Sequence, residues 1–155
     1  MNKILKIFLI LCVIISMFSC KNKPEDLEMF IGYYEGTYSG YIQASPGFSY
    51  YRDDIKGEEA FSIIYNDDNT SLLLLIDNQT VEGTVRGKRA KFETYTVTTT
   101  DWETNQKTHS SNTIEGKIKD NKFEYSTIIR GNIILDGFVL PVDGYLSGSA
   151  VKINN

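Results

Sequence analysis

Polar and apolar residues alternate with a period of two over much of the chain. Val81, Gly83 and Val85 alternate with Glu82, Thr84 and Arg86. After Gly87-Lys88, the residues Ala90, Phe92 and Thr94 alternate with Lys91 and Glu93. Successive side chains of a strand point to opposite faces, so this stretch predicts a hairpin with one apolar face. The pattern recurs at Ile114, Gly116 and Ile118, set against Glu115, Lys117 and Lys119, and resumes after Asp120-Asn121 with Phe123, Tyr125 and Thr127. Asp and Asn tolerate positive φ, as a two-residue type I′ connection requires. Further strands are expected over residues 36–43, 58–65 and 71–76, with a loop over 44–54 and a turn over 66–69. A final pair is expected over 133–140 and 144–153. The run Leu72 to Leu75, bounded by turn residues, reads as a buried strand.

Composition agrees with strands. Only four alanines follow Cys20, and Ile, Val, Thr, Tyr and Phe dominate. No amphipathic helices of ten or more residues alternate with the strands, which excludes all-helical and parallel α/β folds. A short triplet, apolar–acidic–Gly, recurs at Tyr34-Glu35-Gly36, Val81-Glu82-Gly83, Ile114-Glu115-Gly116, Leu135-Asp136-Gly137 and Val142-Asp143-Gly144. Glycines inside strands mark bends or close backbone approach, and repeated bends let a sheet curl and close. Ordinary strand-entry chemistry is the plainer reading of the same triplet. Eight or nine antiparallel strands with short connections predict an all-β fold, a single antiparallel meandering β-barrel, with an open β-sandwich as the alternative.

The first 19 residues differ from the rest. Lys3 and Lys6 precede an unbroken apolar run over 7–15, and Ser19 is a small residue before Cys20. The run is shorter than the roughly 20 residues of a bilayer span, so residues 1–19 read as a signal peptide. Met17-Phe18-Ser19-Cys20 resembles the lipobox of bacterial lipoproteins, in which the Cys becomes the lipidated first residue. Met17 and Phe18 depart from the strict form, which has Leu three places before the Cys. The resemblance implies acyl chains, palmitate among them, on Cys20 and a membrane as partner. Lys21 rather than Asp after the Cys implies the outer membrane, on its periplasmic or its surface face. Cys12 would leave with the leader, so the mature chain has one Cys and forms no internal disulfide. A free thiol or a disulfide dimer is the alternative use of Cys20. Residues 20–33 are expected to hold the lipidated Cys and a polar tether, although Leu27 and Phe30 have the spacing of one helical turn over a barrel end.

Residues 34–155 form the expected barrel domain. Its opening, Tyr34-Glu35-Gly36-Thr37-Tyr38-Ser39-Gly40, resembles the Gly-x-aromatic start of a lipocalin first strand, with Tyr38 where the family has Trp. The order of Gly-bent hairpins is similar to lipocalin-like (calycin) barrels, and the later lipocalin motifs are missing. The resemblance implies a barrel that holds a small or amphipathic ligand.

Charge and chemistry narrow the function. The formal net charge is −4, and loss of Lys3 and Lys6 with the leader leaves 14 basic against 20 acidic residues, or −6. Nucleic acid is excluded as a partner, because phosphate binding needs clustered positive charge. The chain has one His, His109, among Thr108, Ser110, Ser111 and Asn112, and no Gly-x-Ser-x-Gly elbow. One His and one lipid-bearing Cys are too few for zinc, and no EF-hand spacing is present. No catalytic residue, metal or cofactor is expected. Asp53/Asp54, Glu58/Glu59 and Asp67/Asp68 read as solvated turn or edge charges. Arg86, Lys88, Arg89 and Lys91 read as a hairpin tip guarded against edge pairing. Tyr34 and Tyr38 are expected to fill a barrel end. Tyr41, Phe48, Tyr50, Tyr51 and Trp102 are the candidate ligand-binding residues, either lining a mouth or plugging it. The expectation is a non-enzymatic, lipid-anchored cell-envelope protein that binds a small amphipathic or glycan ligand. The alternative is a protein- or glycan-interaction module with a filled core, and a hydrolase comes last.

Overall fold

The computed structural model describes residues 24–44, 51–100, 107–135 and 138–153, with the side chains of 24, 51, 99 and 133–135 left aside. One short helix, α1 (Pro24–Glu28), is followed by nine strands: β1 (Gly32–Ala44), β2 (Tyr51–Tyr65), β3 (Leu72–Ile76), β4 (Gln79–Arg86), β5 (Arg89–Phe92), β6 (Tyr95–Thr100), β7 (Lys107–Lys119), β8 (Lys122–Leu135) and β9 (Phe138–Ile153). They make one antiparallel sheet in the order β5-β4-β3-β2-β1-β9-β8-β7-β6, and β5 also pairs with β7. That last pairing closes a ring of eight strands. The expected meandering barrel is present, and the sandwich is not.

Closure depends on one extra residue. β5 meets β7 as Ala90↔Gly116 and Lys91↔Glu115, whereas β6 meets it as Tyr95↔Asn112 and Val97↔Ser110. The register slips by one residue at Glu93-Thr94, which is a β-bulge. The Glu93 amide still donates to the Glu82 carbonyl (2.8 Å). Beyond it the chain leaves β4 and follows β7 alone. The slip keeps both Phe92 and Tyr95 inside and turns Thr94 out, where its hydroxyl meets that of Thr113 at 2.8 Å. Thr94 therefore does not share the inner face of Ala90 and Phe92, as simple alternation had it. β5 lies between two strands, so the basic cluster guards no edge. Lys91 pairs across to Glu115 (2.6 Å), and Lys117 pairs to Glu124 (3.2 Å). Such exposed pairs contribute a few tenths of a kcal/mol.

The barrel is uneven in height. β3, β4 and β5 have five, eight and four residues, while β1, β2, β7, β8 and β9 have 13 to 16. β3 and β4 stop at the Asp77-Asn78 turn, where both residues have positive φ (49° and 59°), as at Asp120-Asn121 (49° and 62°). Up to this level the ring is closed. Above it only β2-β1-β9-β8-β7-β6 continue, and β2 pairs with β3 over residues 62–65 alone. The upper half is thus a curled six-stranded wall. The last strand pair also differs from expectation, because β9 runs unbroken through Pro141. Pro141 lies one residue past Ala44↔Val142, the final β1–β9 pair, so it faces Asn132 on one side and no β1 residue on the other. A missing N–H is tolerated at such an edge position.

The closed half is filled. Phe123 is its hub, with ring centroids 5.7 to 6.5 Å from Phe30, Tyr34, Phe61, Phe92 and Tyr125. α1 caps the bottom. Leu27 and Phe30 are 1% and 0% exposed, and the Tyr34 hydroxyl donates to the Phe30 carbonyl (2.8 Å). Burial pushes the Tyr34 phenol up to about 12. The tether expected over 20–33 is therefore, from Leu27 onward, part of the packed domain, and β1 starts at Gly32 rather than Gly36. The helical turn expected from the Leu27/Phe30 spacing is what carries the plug.

Candidate functional site

Inward positions follow from register. On β1 they are the even residues from Tyr34, and on β2 the odd ones through Phe61 and Ile63. One inward row crosses five adjacent strands as Gly116 (β7), Tyr125 (β8), Gly148 (β9), Tyr38 (β1) and Gly57 (β2). A Cβ at Gly148 would collide with the Tyr125 phenol, and one at Gly57 would meet the Tyr38 hydroxyl at 2.6 Å. Each tyrosine ring thus lies flat on the glycine of the next strand. The glycines leave room for these rings beside the sheet, and Tyr125 also packs into the core against Phe123 and Phe61. This row is the boundary between the filled half and the wall.

Glu59 sits at that boundary. It is in phase with Phe61 and Ile63 and therefore points in, while Glu58 is exposed. Its β1 partner is Gly36. Glu59 and Tyr125 line a void of about 10 Å³ together with Phe61, Leu74, Ile76, Ile114 and Phe123, which is the size of one water. Tyr125 is 7% exposed. Among the described residues, Glu59 Oε1, the Tyr125 hydroxyl and Asn112 Oδ1 are buried with no hydrogen-bond partner. Burial first, and the Asp77 carboxylate second, push the Glu59 carboxyl up to about 7. Tyr95 joins the group, with its phenol pushed up by burial and by the charges of Asp77 and Glu59, against a hydrogen bond from Asn112 that lowers it. Buried polar atoms without partners cost about 1–3 kcal/mol each.

The wall above is lined by Gly40, Ile42, Ala44, Ile55, Val142, Gly144, Leu146, Thr127 and Ile129, with Thr108, Ser110 and Val97 on the β7–β6 side. Among the described inward positions of this wall the charged residue is Asp53; Glu59, with Asp77 on the turn near it, lies one inward step below the Gly–Tyr row. No group of His, Cys, Asp and Glu able to hold a metal occurs among the described residues.

Of the residues singled out by sequence, Tyr41 lies on the outer face. Its partners across the sheet are Asp54 and Tyr145, and the Arg52 guanidinium stacks on its ring at 4.0 Å. It does not line the lumen, because it is out of phase with Tyr34 and Tyr38. Tyr41, Tyr145 and Ile128 form one outer row, with Tyr145 and Ile128 43% and 46% exposed. Tyr51 pairs with Ala44 at the top of β1–β2, and its side chain is outside the described residues. Phe48, Tyr50, Trp102 and Cys20 also lie outside them. The described ends that flank residues 45–50, 101–106 and 136–137 all lie at the open end. His109 is exposed, with Nδ1 2.9 Å from the Thr98 hydroxyl. Glu59, Asn112 and Tyr95 were missed by sequence reasoning. The available signal was phase: Glu59 stands two residues before Phe61 in an alternating run.

Compared with known protein families and with curated protein sequences, the chain matches none.

Proposed function

We propose that the protein is a lipid-anchored protein of the outer membrane that carries a small amphipathic ligand on the inner face of its open half. The observation that supports this most is the change of inward residues at the Gly–Tyr row. Below it the lumen is packed with aromatics; above it the inner face is small, aliphatic and hydroxylic, over a floor with unpartnered oxygens. A pocket with apolar walls and a few converging polar groups is the usual form of a small-molecule site. The lipocalin-like reading of the β1 sequence is consistent with that use, and the lipobox-like Ser19-Cys20 supports the anchor. The protein acts by binding and has no catalytic step.

Two measurements test it. Mass spectrometry of the native protein should find Cys20 as an acylated N-terminus, and Cys20→Ala should move the protein out of the membrane fraction. Calorimetric titration of the purified protein with octanol should show saturable binding. An unprocessed wild type overturns the anchor, and absence of octanol binding overturns the carrier reading. The outer row of Tyr41, Tyr145 and Ile128 favours a second reading, an interaction module that uses its outside. Under that reading Tyr145→Ser would abolish partner binding and octanol would not bind at all.

A further inference from the structure

We propose that the free upper edge of β2 is a pairing surface for a second copy of this chain, giving an isologous dimer in which two β2 strands run antiparallel about a two-fold axis at Ile55. The inference goes beyond the carrier reading and does not depend on a ligand. It starts from an edge. β1 pairs with β2 in one unbroken register from Tyr51 to Ile63, but β3 pairs with it only over residues 62–65. On that side no described strand pairs with β2 over residues 51–61. Further along, the Asn66 amide donates to the Ser71 carbonyl on the β3 side (3.1 Å). Backbone groups of a strand point to alternate neighbours with a period of two. Arg52, Asp54, Lys56 and Glu58, in phase with Asn66, therefore turn their N–H and C=O groups to the open edge. Unpaired backbone of this kind is a template for another strand.

Charge often guards such an edge, and these four side chains are charged and exposed. What separates them from a plain guard is the order of signs. Along the outer face β2 reads Arg52, Asp54, Lys56, Glu58, with signs plus, minus, plus, minus. Laid antiparallel on itself with Ile55 opposite Ile55, Arg52 meets Glu58 of the second copy and Asp54 meets its Lys56, and the two-fold axis repeats both pairs. Every outward charge then faces its opposite. Sliding the copies by one step along the same face loses this. One slide sets Asp54 on Asp54 and Arg52 on Lys56; the other sets Lys56 on Lys56 and Asp54 on Glu58. Opposite charges across a ladder stabilise it and like charges destabilise it, so the pattern selects one register. The same register fits the space. It joins residues 51–59 of both copies and stops short of Ser62, the first residue that β3 holds. On the inner face it sets Ile55 on Ile55 and Asp53 on Gly57, with no like charges opposed. β6, the other described edge strand of the open half, is uncharged from Tyr95 to Thr100 and specifies no register.

Sedimentation equilibrium of the purified full chain tests the proposal. The wild type should show a monomer–dimer equilibrium. Asp54→Lys places a second cation opposite Lys56, and Lys56→Glu places a second anion opposite Asp54. Because symmetry applies each change twice, either variant alone should dimerise about tenfold or more weakly than the wild type. Mixed in equal amounts, the two variants should associate with each other within about threefold of the wild-type affinity, since both contacts between positions 54 and 56 then join opposite charges. A wild type that stays monomeric up to about 1 mM, the weak end of specific association, would overturn the proposal. So would a dimer that both reversals leave intact, or one that the mixture fails to restore, because the interface would then lie elsewhere. None of these outcomes depends on octanol binding, so failure here is read separately from failure of the carrier reading.

Discussion

The two halves of the barrel are written in the same period-two alphabet and end as opposites. Below the Gly–Tyr row, inward positions hold Phe, Leu, Ile and Tyr, and eight strands close around them. Above it the inward positions are dominated by Gly, Ala, Thr, Ser and medium aliphatics, and six strands curl without meeting. The contrast teaches that the face of a residue is set by phase, while filling is set by size. The size of the inward residue can change along a strand without altering the polar–apolar pattern. The halves should therefore fail in opposite ways, one when volume is removed and the other when it is added.

The largest effect is expected at the hub. Phe123→Ala removes a ring that touches five others and should cost about 3–5 kcal/mol in chemical denaturation. A cost below about 1 kcal/mol would show that the closed half is loosely packed. In the open half the sensitive change is an addition. A Cβ at Gly40 would collide with the β9 backbone at Tyr145 and Leu146, which cannot rotate away, so Gly40→Ala should cost about 1–3 kcal/mol. Gly148→Ala meets the end of the Tyr125 ring, which can tilt. It should cost less stability and more octanol affinity, because the ring then enters the lumen.

Between the halves, Glu59 makes stability depend on pH. Its carboxyl is held up at about 7 in the folded protein against an ordinary value of 4.5. Between these values the unfolded chain has released the proton and the folded one keeps it. Stability therefore falls as pH rises from 4.5 to 7 and levels above. The full shift would correspond to about 3 kcal/mol, and partial solvent access reduces this to about 1–2 kcal/mol. Glu59→Gln should remove this component of the pH profile, and an unchanged profile would place the carboxylate in solvent. The smallest effect is expected outside, where Tyr145→Ser should change stability by about 0.5 kcal/mol or less.

Much of the architecture was legible before any coordinates. Alternation at 81–92 and 114–127 gave two hairpins and the correct inner faces, because those residues obey both strand phase and burial. Asp120-Asn121 announced its turn for the reason it adopts one, tolerance of positive φ. The bulge at Glu93-Thr94 was illegible, since both residues are polar and a one-residue slip between polar positions leaves no mark in the pattern. The plug was half legible: Leu27 and Phe30 had the spacing, but the charges around Pro24 suggested a tether. Glu59 was hidden by its neighbour, because two adjacent acids look like one solvated pair until strand phase separates them. Tyr41 was chosen as an aromatic near the first strand, and only the phase of β1 reveals that it faces out.

The plugged bottom has a consequence for how the molecule can be held. The described chain enters at Pro24 beneath the closed end and leaves at Ile153, beside Tyr33, at that same pole. Every attachment made through either terminus, whether a lipid, a fusion partner or a biosensor chip, grips the molecule by its solid end. Cys20 stands four positions before Pro24, a reach of at most about 14 Å. A lipid on Cys20, as proposed, would hold the closed end nearer the membrane than the end at Ala44 and Tyr51.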